Sequence, residues 1–307
     1  MLLLAIDFGN TTLKAALFED EVLLEVRYSL SISDIECWLD EIMTLCSASL
    51  EGIIISSVRK NENIKTSFVK KLEKKMILDR FNKSKLIIKS DYTMPKIATN
   101  RKAISVVVPV IFLDENTPLP IQNDYKTPKT LGKDRLAAVI GAYFLEKKVI
   151  KQPTLVIDAG TCITFDFINS DKKKVIYQGG SISLGLQMRF KALGKFTAKL
   201  PLLKPNENLP TPIGQTTQSA MQSGVQFGLL SEIKGIIDFY QNQITQNKEL
   251  LIVVCGGDAQ ILKKWWEEYV INFTDNSHYY PKWTIEPNLV LIGLQRIFQF
   301  IKNNEDN

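Results

Sequence analysis

The apolar positions of the N-terminal segment fall in short unbroken runs separated by polar turns. The runs at 2–7, 12–18 and 21–28 predict three successive strands. Ser33 and Asp34 then precede an apolar spacing at Ile35, Leu39, Ile42 and Met43, which predicts a capped helix over 33–48. Gly52-Ile-Ile-Ile-Ser-Ser-Val58 has the β-branched continuity of a strand covered on both faces. A helix over 61–78 and a strand over 85–89 follow. Strands alternating with helices argue for an α/β fold.

From Ser90 to Pro128 the pattern degrades. Pro95, Pro109, Pro118, Pro120 and Pro128 punctuate it, and Val106-Val-Val108 reads either as a strand or as a buried linker. The junction between two lobes is expected near its end, giving segments 1–130 and 131–307. Beyond it, a helix is predicted from about Lys133, then strands at 154–158, 161–168 and 173–179 and a helix at 185–193. After a Pro-rich loop from Pro201 to Pro212 come a helix over 217–243, a strand over 250–255 and a helix over 259–269. A strand at 289–292 and a helix at 293–303 complete the pattern, and the polar tail after Asn303 is expected to fray.

One short pattern occurs twice, about half a chain apart. The first copy is Leu2-Leu-Leu-Ala-Ile-Asp7-Phe-Gly9-Asn10-Thr11-Thr12; the second is Thr154-Leu-Val-Ile-Asp158-Ala-Gly160-Thr161-Cys-Ile-Thr164. Each is an apolar strand that ends in Asp-x-Gly and a Thr-bearing turn before a second strand begins. Such a turn lets backbone approach a ligand closely, while hydroxyls and N–H groups can donate to phosphate oxygens. The Asp can hold a cation that those oxygens also touch. Either copy alone is equally well an ordinary hairpin; the duplication is what argues for a pair of phosphate grips. Three strands followed by α/β, twice over, are similar to two ribonuclease-H-like (actin-like) lobes with the nucleotide cleft between them.

Composition adds bounds. The chain has 307 residues, 45% hydrophobic and 23% charged, with a formal net charge of +5, the values of an ordinary globular enzyme. The lysines between 65 and 75 and those at 172–174 read as solvated surface rather than a nucleic-acid footprint. Cys37, Cys46, Cys162 and Cys255 show no paired metal or disulfide spacing, so a reducing compartment is expected. With His278 the one histidine, chemistry built on several histidines is excluded. The apolar run before Asp7 is too short for a signal peptide or a membrane span.

Phosphoryl transfer needs phosphate grips, a cation, a group that orients the attacking hydroxyl, and a substrate pocket. Asp7 is the candidate partner of Mg²⁺, through water, with Gly9, Asn10, Thr11 and Thr12 at the transferred phosphate and Lys14 at the end of that loop. Asp158 and Thr161 match them in the second copy. Between the copies lies Leu131-Gly132-Lys133-Asp134-Arg135-Leu136. There Asp134 reads either as a residue complementing a helix N-terminus or as the group that accepts or orients a substrate hydroxyl, and Arg135 as a bidentate anion ligand. A helix N-terminus favours the carboxylate form, so orientation is the main role expected of Asp134. Gly256-Gly257 could seat adenine and ribose, or simply make a tight turn.

These motifs, in this order, resemble the type III pantothenate kinase family of the acetate and sugar kinase, heat-shock ATPase and actin superfamily. The resemblance rests on Asp7-Phe-Gly-Asn-Thr-Thr12, Tyr125-Lys-Thr-Pro-Lys-Thr-Leu-Gly132-Lys-Asp-Arg135, Asp158-Ala-Gly-Thr-Cys-Ile-Thr164 and Gly179-Gly-Ser-Ile-Ser-Leu-Gly185. Thr197-Ala-Lys-Leu-Pro201, Gly214-Gln-Thr-Thr217, Gln222-Ser-Gly224 and Cys255-Gly-Gly257 complete it. Gly-x-Asp-Arg between the two hairpins is its most discriminating part.

The resemblance implies ATP-dependent phosphorylation of pantothenate, the first step of coenzyme A biosynthesis. It implies ATP binding by Asp7, Phe8, Gly9, Asn10, Thr11, Thr12, Leu13 and Lys14, with Thr161, Gly256 and Gly257. It implies pantothenate binding by Tyr125, Gly132, Lys133, Asp134, Arg135 and Thr217, with Asp134 as catalytic base. Asp158 would hold a monovalent cation, K⁺ or NH₄⁺, beside the Mg²⁺ at Asp7. A cytoplasmic homodimer whose pantothenate pocket is completed by the partner subunit is also implied, with no nucleic acid or membrane partner. Leu184 stands where the family commonly has Pro, and Cys162 where it has Ala; the role of residues 90–123 stays open. The alternatives are a kinase of the same superfamily for another small hydroxylated substrate, and a nucleotide-binding regulator without turnover.

Overall fold

The computed structural model describes residues 2–29, 31, 33–35, 37, 38, 41, 50–58, 85–88, 107–145, 152–171, 174–245, 249–273 and 280–305. The helix expected over 61–78, most of that expected over 33–48, Cys46 and His278 lie outside these residues. The chain divides into two compact units. One comprises Met1–Pro120, Lys126–Phe144 and Val290–Asn307, the other Ile121–Tyr125 and Leu145–Leu289.

In the first unit, β1 (Leu2–Phe8), β2 (Leu13–Glu19), β3 (Val22–Ser29), β4 (Gly52–Ser57), β5 (Lys85–Ile88) and β6 (Val107–Phe112) form one sheet in the order β3-β2-β1-β4-β6-β5. The first three strands are antiparallel neighbours; β4, β6 and β5 continue the sheet in parallel. β1 is buried along its whole length, which is why its sequence is apolar without alternation. Leu4, Ile6, Leu13, Leu17, Ile53 and Ile55 form the core with Ile35 and Trp38. The open reading resolves as strand from Val107, and Pro109 stands opposite Ile87 of β5, one residue before the ladder to β4 begins at Val110.

The second unit repeats this order. β8 (Thr154–Ala159), β9 (Cys162–Asp171), β10 (Lys174–Leu184), β11 (Leu251–Cys255) and β12 (Trp283–Ile285) run β12-β11-β8-β9-β10, and β7 (Gln122–Asn123) adds to the edge at β10. Reading from β10, the arrangement is that of β3-β2-β1-β4-β6: an antiparallel three-strand meander with parallel strands beyond its first member. Each unit is therefore a ribonuclease-H-like sheet, and the fold class is α/β as expected. One face of the second sheet is covered by helices: Phe165 and Phe167 pack with Phe190, Leu229, Ile233 and Trp265.

Two expectations for single elements are corrected; besides, by contacts, α1 (Lys133–Phe144) and the C-terminal helix Leu289–Glu305 pack in the first unit and residues 121–125 in the second. The reason is backbone-to-backbone contact: a Cβ on Gly293 would stand 1.8 Å from the Ala137 carbonyl oxygen of α1. Gln295 also donates to the Asp20 carbonyl at 2.7 Å, where the β2–β3 turn takes a φ of 52°. Next, the apolar run 289–292 is the first turn of that helix rather than a strand, and the edge strand is the short Trp283–Ile285. Finally, the cap before Ile35 is Ser31: its Oγ accepts from the Asp34 N–H at 3.2 Å and donates to the Asp34 carboxylate at 2.5 Å.

Candidate active site

Asp7, the penultimate residue of β1, has Ser56 of β4 on one side and Lys14 of β2 on the other, and Lys14 faces Tyr28 of β3. Residues opposite one another in a sheet share a face, so Ser56, Asp7, Lys14 and Tyr28 make one polar row across four strands. Asp7 is 6% exposed and Ser56 0%, and the Ser56 hydroxyl donates to Oδ1 of Asp7. Oδ2 faces the turn, 3.8 Å from where a Cβ on Gly9 would lie. That same Cβ would stand 2.8 Å from the Thr12 carbonyl oxygen, so a side chain at Gly9 would crowd the turn. Asn10 and Thr11 are exposed, whereas Phe8 and Leu13 belong to the core and could meet a ligand only through their backbone.

The second cluster of the first unit is the start of α1. The Gly132 carbonyl accepts from Leu136 N–H at 3.2 Å, which makes Gly132 the cap. The Asp134 carboxylate folds back over it: Oδ1 lies 2.5 Å from where a Cβ on Gly132 would be, and also accepts from the Arg135 N–H at 2.8 Å. Gly132 is thus the residue that makes room for this carboxylate. Arg135 is 5% exposed beside it, and Lys133 turns back to the Pro128 carbonyl at 3.0 Å.

In the second unit Asp158 is the penultimate residue of β8, opposite Thr164 of β9 and Cys255 of β11. The Thr161 turn is held from two sides: Gly185 N–H donates to the Thr161 carbonyl at 3.2 Å, and Asp258 N–H to the Ala159 carbonyl at 2.9 Å. Gly256 has a φ of 92°, and a Cβ there would lie 2.3 Å from the Ala159 oxygen and 2.6 Å from Asp158 Oδ1. Only glycine fits this position. Gly257 beside it is exposed, with open space where its Cβ would be, and burial pushes the Asp258 carboxyl up from its usual range. Asp158, Thr161, Gly256 and Gly257 therefore converge at one end of this sheet.

The remaining expected residues are built differently. Tyr125 follows β7, and its ring stacks on Tyr177 of β10 with centroids 6.1 Å apart and planes 8° from parallel. Thr217 is exposed at the start of α3 (Thr217–Gln222), behind a reciprocal cap. The Thr216 hydroxyl accepts from Ser219 N–H at 3.1 Å, and the Ser219 hydroxyl from Thr216 N–H at 2.9 Å.

Comparison with known proteins bears on this arrangement. The sequence profile described as Type III pantothenate kinase matches residues 93–238. A type III pantothenate kinase of Cytophaga hutchinsonii is 40% identical over 202 residues, covering 66% of this chain and 76% of the relative. One of Christiangramia forsetii is 37% identical over 261 residues, 84% of this chain and 87% of the relative. One of Bacteroides fragilis is 36% identical over 259 residues, 83% and 85% respectively. This chain belongs to the type III pantothenate kinase family.

Within this family member the structure adds residues that the motifs did not point to. Ser56 carried no motif; its signal was a hydroxyl at the end of the strand beside β1, legible only once β4 is known to be that neighbour. Gln226 is another: its Oε1 accepts from Asn206 N–H of the Pro-rich loop at 2.7 Å, beside Gln222 of the Gln222-Ser-Gly224 motif, whose Nε2 donates to Asn206 Oδ1 at 2.7 Å. Trp265 secures the same loop through the Glu207 carbonyl at 3.0 Å.

The donors at both hairpins suit hard cations. The buried Asp7 carboxylate, with the Ser56 hydroxyl on it, fits Mg²⁺ held through its water shell, and the Asp158 carboxylate with the Ala159 carbonyl at the Gly256 turn offers oxygen donors that would suit a monovalent cation. Among the described residues no three His, Cys, Asp or Glu side chains converge as a metal cage.

Proposed function

We propose that this chain transfers the γ-phosphoryl group of ATP to the terminal hydroxyl of pantothenate, giving 4'-phosphopantothenate at the start of coenzyme A biosynthesis. Membership of the type III pantothenate kinase family supports the activity, and one observation carries the site: the Asp134 carboxylate, held over Gly132 at the mouth of α1, beside buried Arg135. Arg135 receives the pantothenate carboxylate, with Lys133, Tyr125 and Thr217 as further contacts. Asp134 orients the attacking hydroxyl and accepts its proton. The new bond joins that oxygen to the γ-phosphorus, the bridging bond to the β-phosphate breaks, and ADP leaves.

The Asp7 turn, through Gly9, Asn10, Thr11, Thr12 and the Lys14 ammonium, binds the phosphates, with Phe8 and Leu13 contributing backbone only. Thr161 and the open backbone at Gly256-Gly257 bind the rest of the nucleotide. Mg²⁺ near Asp7 and a monovalent cation, K⁺ or NH₄⁺, near Asp158 would supply charge neutralisation for the transferred group.

The working species is a homodimer in the cytoplasm. Supporting it, Ile182 and Leu184 on β10, Phe196 at the end of α2 (Leu186–Phe196) and Leu202 are 61%, 44%, 79% and 69% exposed, and Leu202 lies against Gly194 of that helix. Apolar surface of this kind is what a second copy covers. No helix among the described residues is long and apolar enough to cross a membrane.

The test is ADP release by the purified protein with pantothenate, ATP and Mg²⁺, with and without K⁺ or NH₄⁺. Turnover with pantothenate that rises with the monovalent ion supports the reading. Turnover only with a different hydroxyl compound overturns the substrate, and none with any acceptor overturns the kinase.

A further inference from the structure

Tyr125 is held by more structure than a surface contact needs. The chain joins the second unit for only residues 121–125, pairs Gln122 and Asn123 with Ile176 and Tyr177, and returns to the first unit at Lys126. Asp124 N–H donates to the Tyr177 carbonyl at 3.0 Å, and Tyr125 N–H to Asn123 Oδ1 at 3.1 Å. The β9–β10 register slips between Tyr177 and Gly179, and Gly179 takes a φ of 105°. A Cβ there would stand 3.4 Å from the Tyr125 ring, so the bulge makes the ring's seat and glycine leaves it open.

Beneath that seat lies a buried polar network. On β9, residues 163, 165 and 167 face the helix-covered core, so Thr164 and Asp166 face the other way. Asp166 is 1% exposed and Tyr177 0%. The Tyr177 hydroxyl donates to Asp166 Oδ1 at 2.6 Å, and the Thr164 hydroxyl to Oδ2 at 3.1 Å. A buried carboxylate is costly and would be replaceable by apolar packing if this sheet needed only stability. What two directed hydrogen bonds add is a single orientation for the Tyr177 ring, the surface on which Tyr125 stacks.

We propose that Asp166 and Tyr177 are positioning residues for Tyr125, so that this buried pair sets the affinity for pantothenate without touching it. The inference rests on the reading of Tyr125 as a pantothenate contact. Asp166 also accepts from Thr164 of the second hairpin, but Tyr177 and Tyr125 lie outside both phosphate-binding motifs, so the effect of Tyr177→Phe belongs in the KM for pantothenate rather than in kcat or in the KM for ATP.

Steady-state kinetics and melting temperatures of Tyr177→Phe, Asp166→Asn, Asp166→Ala, Tyr125→Ala and the Tyr125→Ala/Tyr177→Phe double variant test it. Tyr177→Phe is expected to raise the pantothenate KM by about fivefold or more with kcat and the ATP KM within about twofold. Asp166→Asn, which can still accept from Tyr177, should raise it less than Asp166→Ala. In the Tyr125→Ala background the Tyr177→Phe change should have no further effect, since the two act through one contact. If Tyr125→Ala raises KM while Tyr177→Phe and Asp166→Asn lower only the melting temperature, the positioning role is overturned and the contact stands. If Tyr125→Ala leaves KM unchanged, the contact itself fails, and the inference with it. Should Asp166→Ala not fold, Tyr177→Phe and Asp166→Asn decide the matter.

Discussion

The Ser56 hydroxyl donates to Oδ1 of Asp7 across two parallel strands in register, and both residues are buried. The bond fixes which carboxylate oxygen is turned inward and which faces the Gly9 turn. Ser56→Ala is expected to cost about 1–3 kcal/mol of stability, because it leaves a buried acceptor short of a partner. It should also raise the Mg²⁺ concentration needed for half-maximal turnover. Urea denaturation and an Mg²⁺ titration of activity check the two effects; unchanged Mg²⁺ dependence would detach Asp7 from the cation.

Asp134→Asn keeps the shape of the residue over Gly132 but removes the charge that receives a proton. A fall in kcat of about 10²–10⁴-fold is expected, with the melting temperature little changed. Gly132→Ala should act on the same step, since its Cβ would enter the space of the carboxylate 2.5 Å away. An Asp134→Asn enzyme with near-normal kcat would remove Asp134 from the reaction.

At Gly256 the backbone and its neighbours agree. Gly256→Ala would force a positive φ of 92° on a residue with a side chain and press it against Ala159 and Asp158. A loss of about 1–3 kcal/mol is expected, together with a higher KM for ATP and an unchanged KM for pantothenate. Gly257→Ala, with open space around it, should be mild in stability. Thermal unfolding and nucleotide titrations of the two variants separate them.

Glu51 and Lys302 join β4's leading edge to the C-terminal helix at 2.7 Å. Burial pushes the Glu51 carboxyl up, but the hydrogen bond and charge of Lys302, joined by the N-terminal charge and a hydrogen bond from the Leu2 backbone, hold the group below its ordinary value. A lowered carboxyl contributes stability above its unfolded pKa and loses it as pH falls through the folded one. Lys302→Met should therefore cost about 0.2–1 kcal/mol at pH near 7, the range of an exposed pair, and progressively less below about pH 4. A wild-type to variant gap that stays constant with pH would show that the pair is not the source.

The apolar edge made by Leu184 and Phe196 is expected to meet a second copy. Leu184→Glu and Phe196→Glu should shift the protein toward monomer in sedimentation velocity and lower turnover with pantothenate. A monomeric variant at full activity would show that one chain completes its own pocket.

Both hairpins, the Gly132–Arg135 segment between them and the α/β class could be read from the chain, because each is a local matter of apolar runs, turn residues and their order. What could not be read is instructive. Leu289-Val-Leu-Ile292 is as apolar as a strand and lies within a helix, since a run of that length has no period to distinguish the two. Ser56, Gln226 and Tyr177 carry no motif and act only through partners distant in sequence.

The sequence alone determined where the two Asp-x-Gly hairpin turns form and which carboxylate stands at a helix start, because Gly, Asp and Thr shape backbone within a few residues of themselves. Only the tertiary structure decided how the chain is shared between units. Gly293 meeting Ala137 draws the C-terminal helix to the first unit, and the pairing of residues 122 and 123 with β10 gives Tyr125 to the second. Those outcomes depend on close packing and strand pairing across long stretches of chain, which local pattern does not encode.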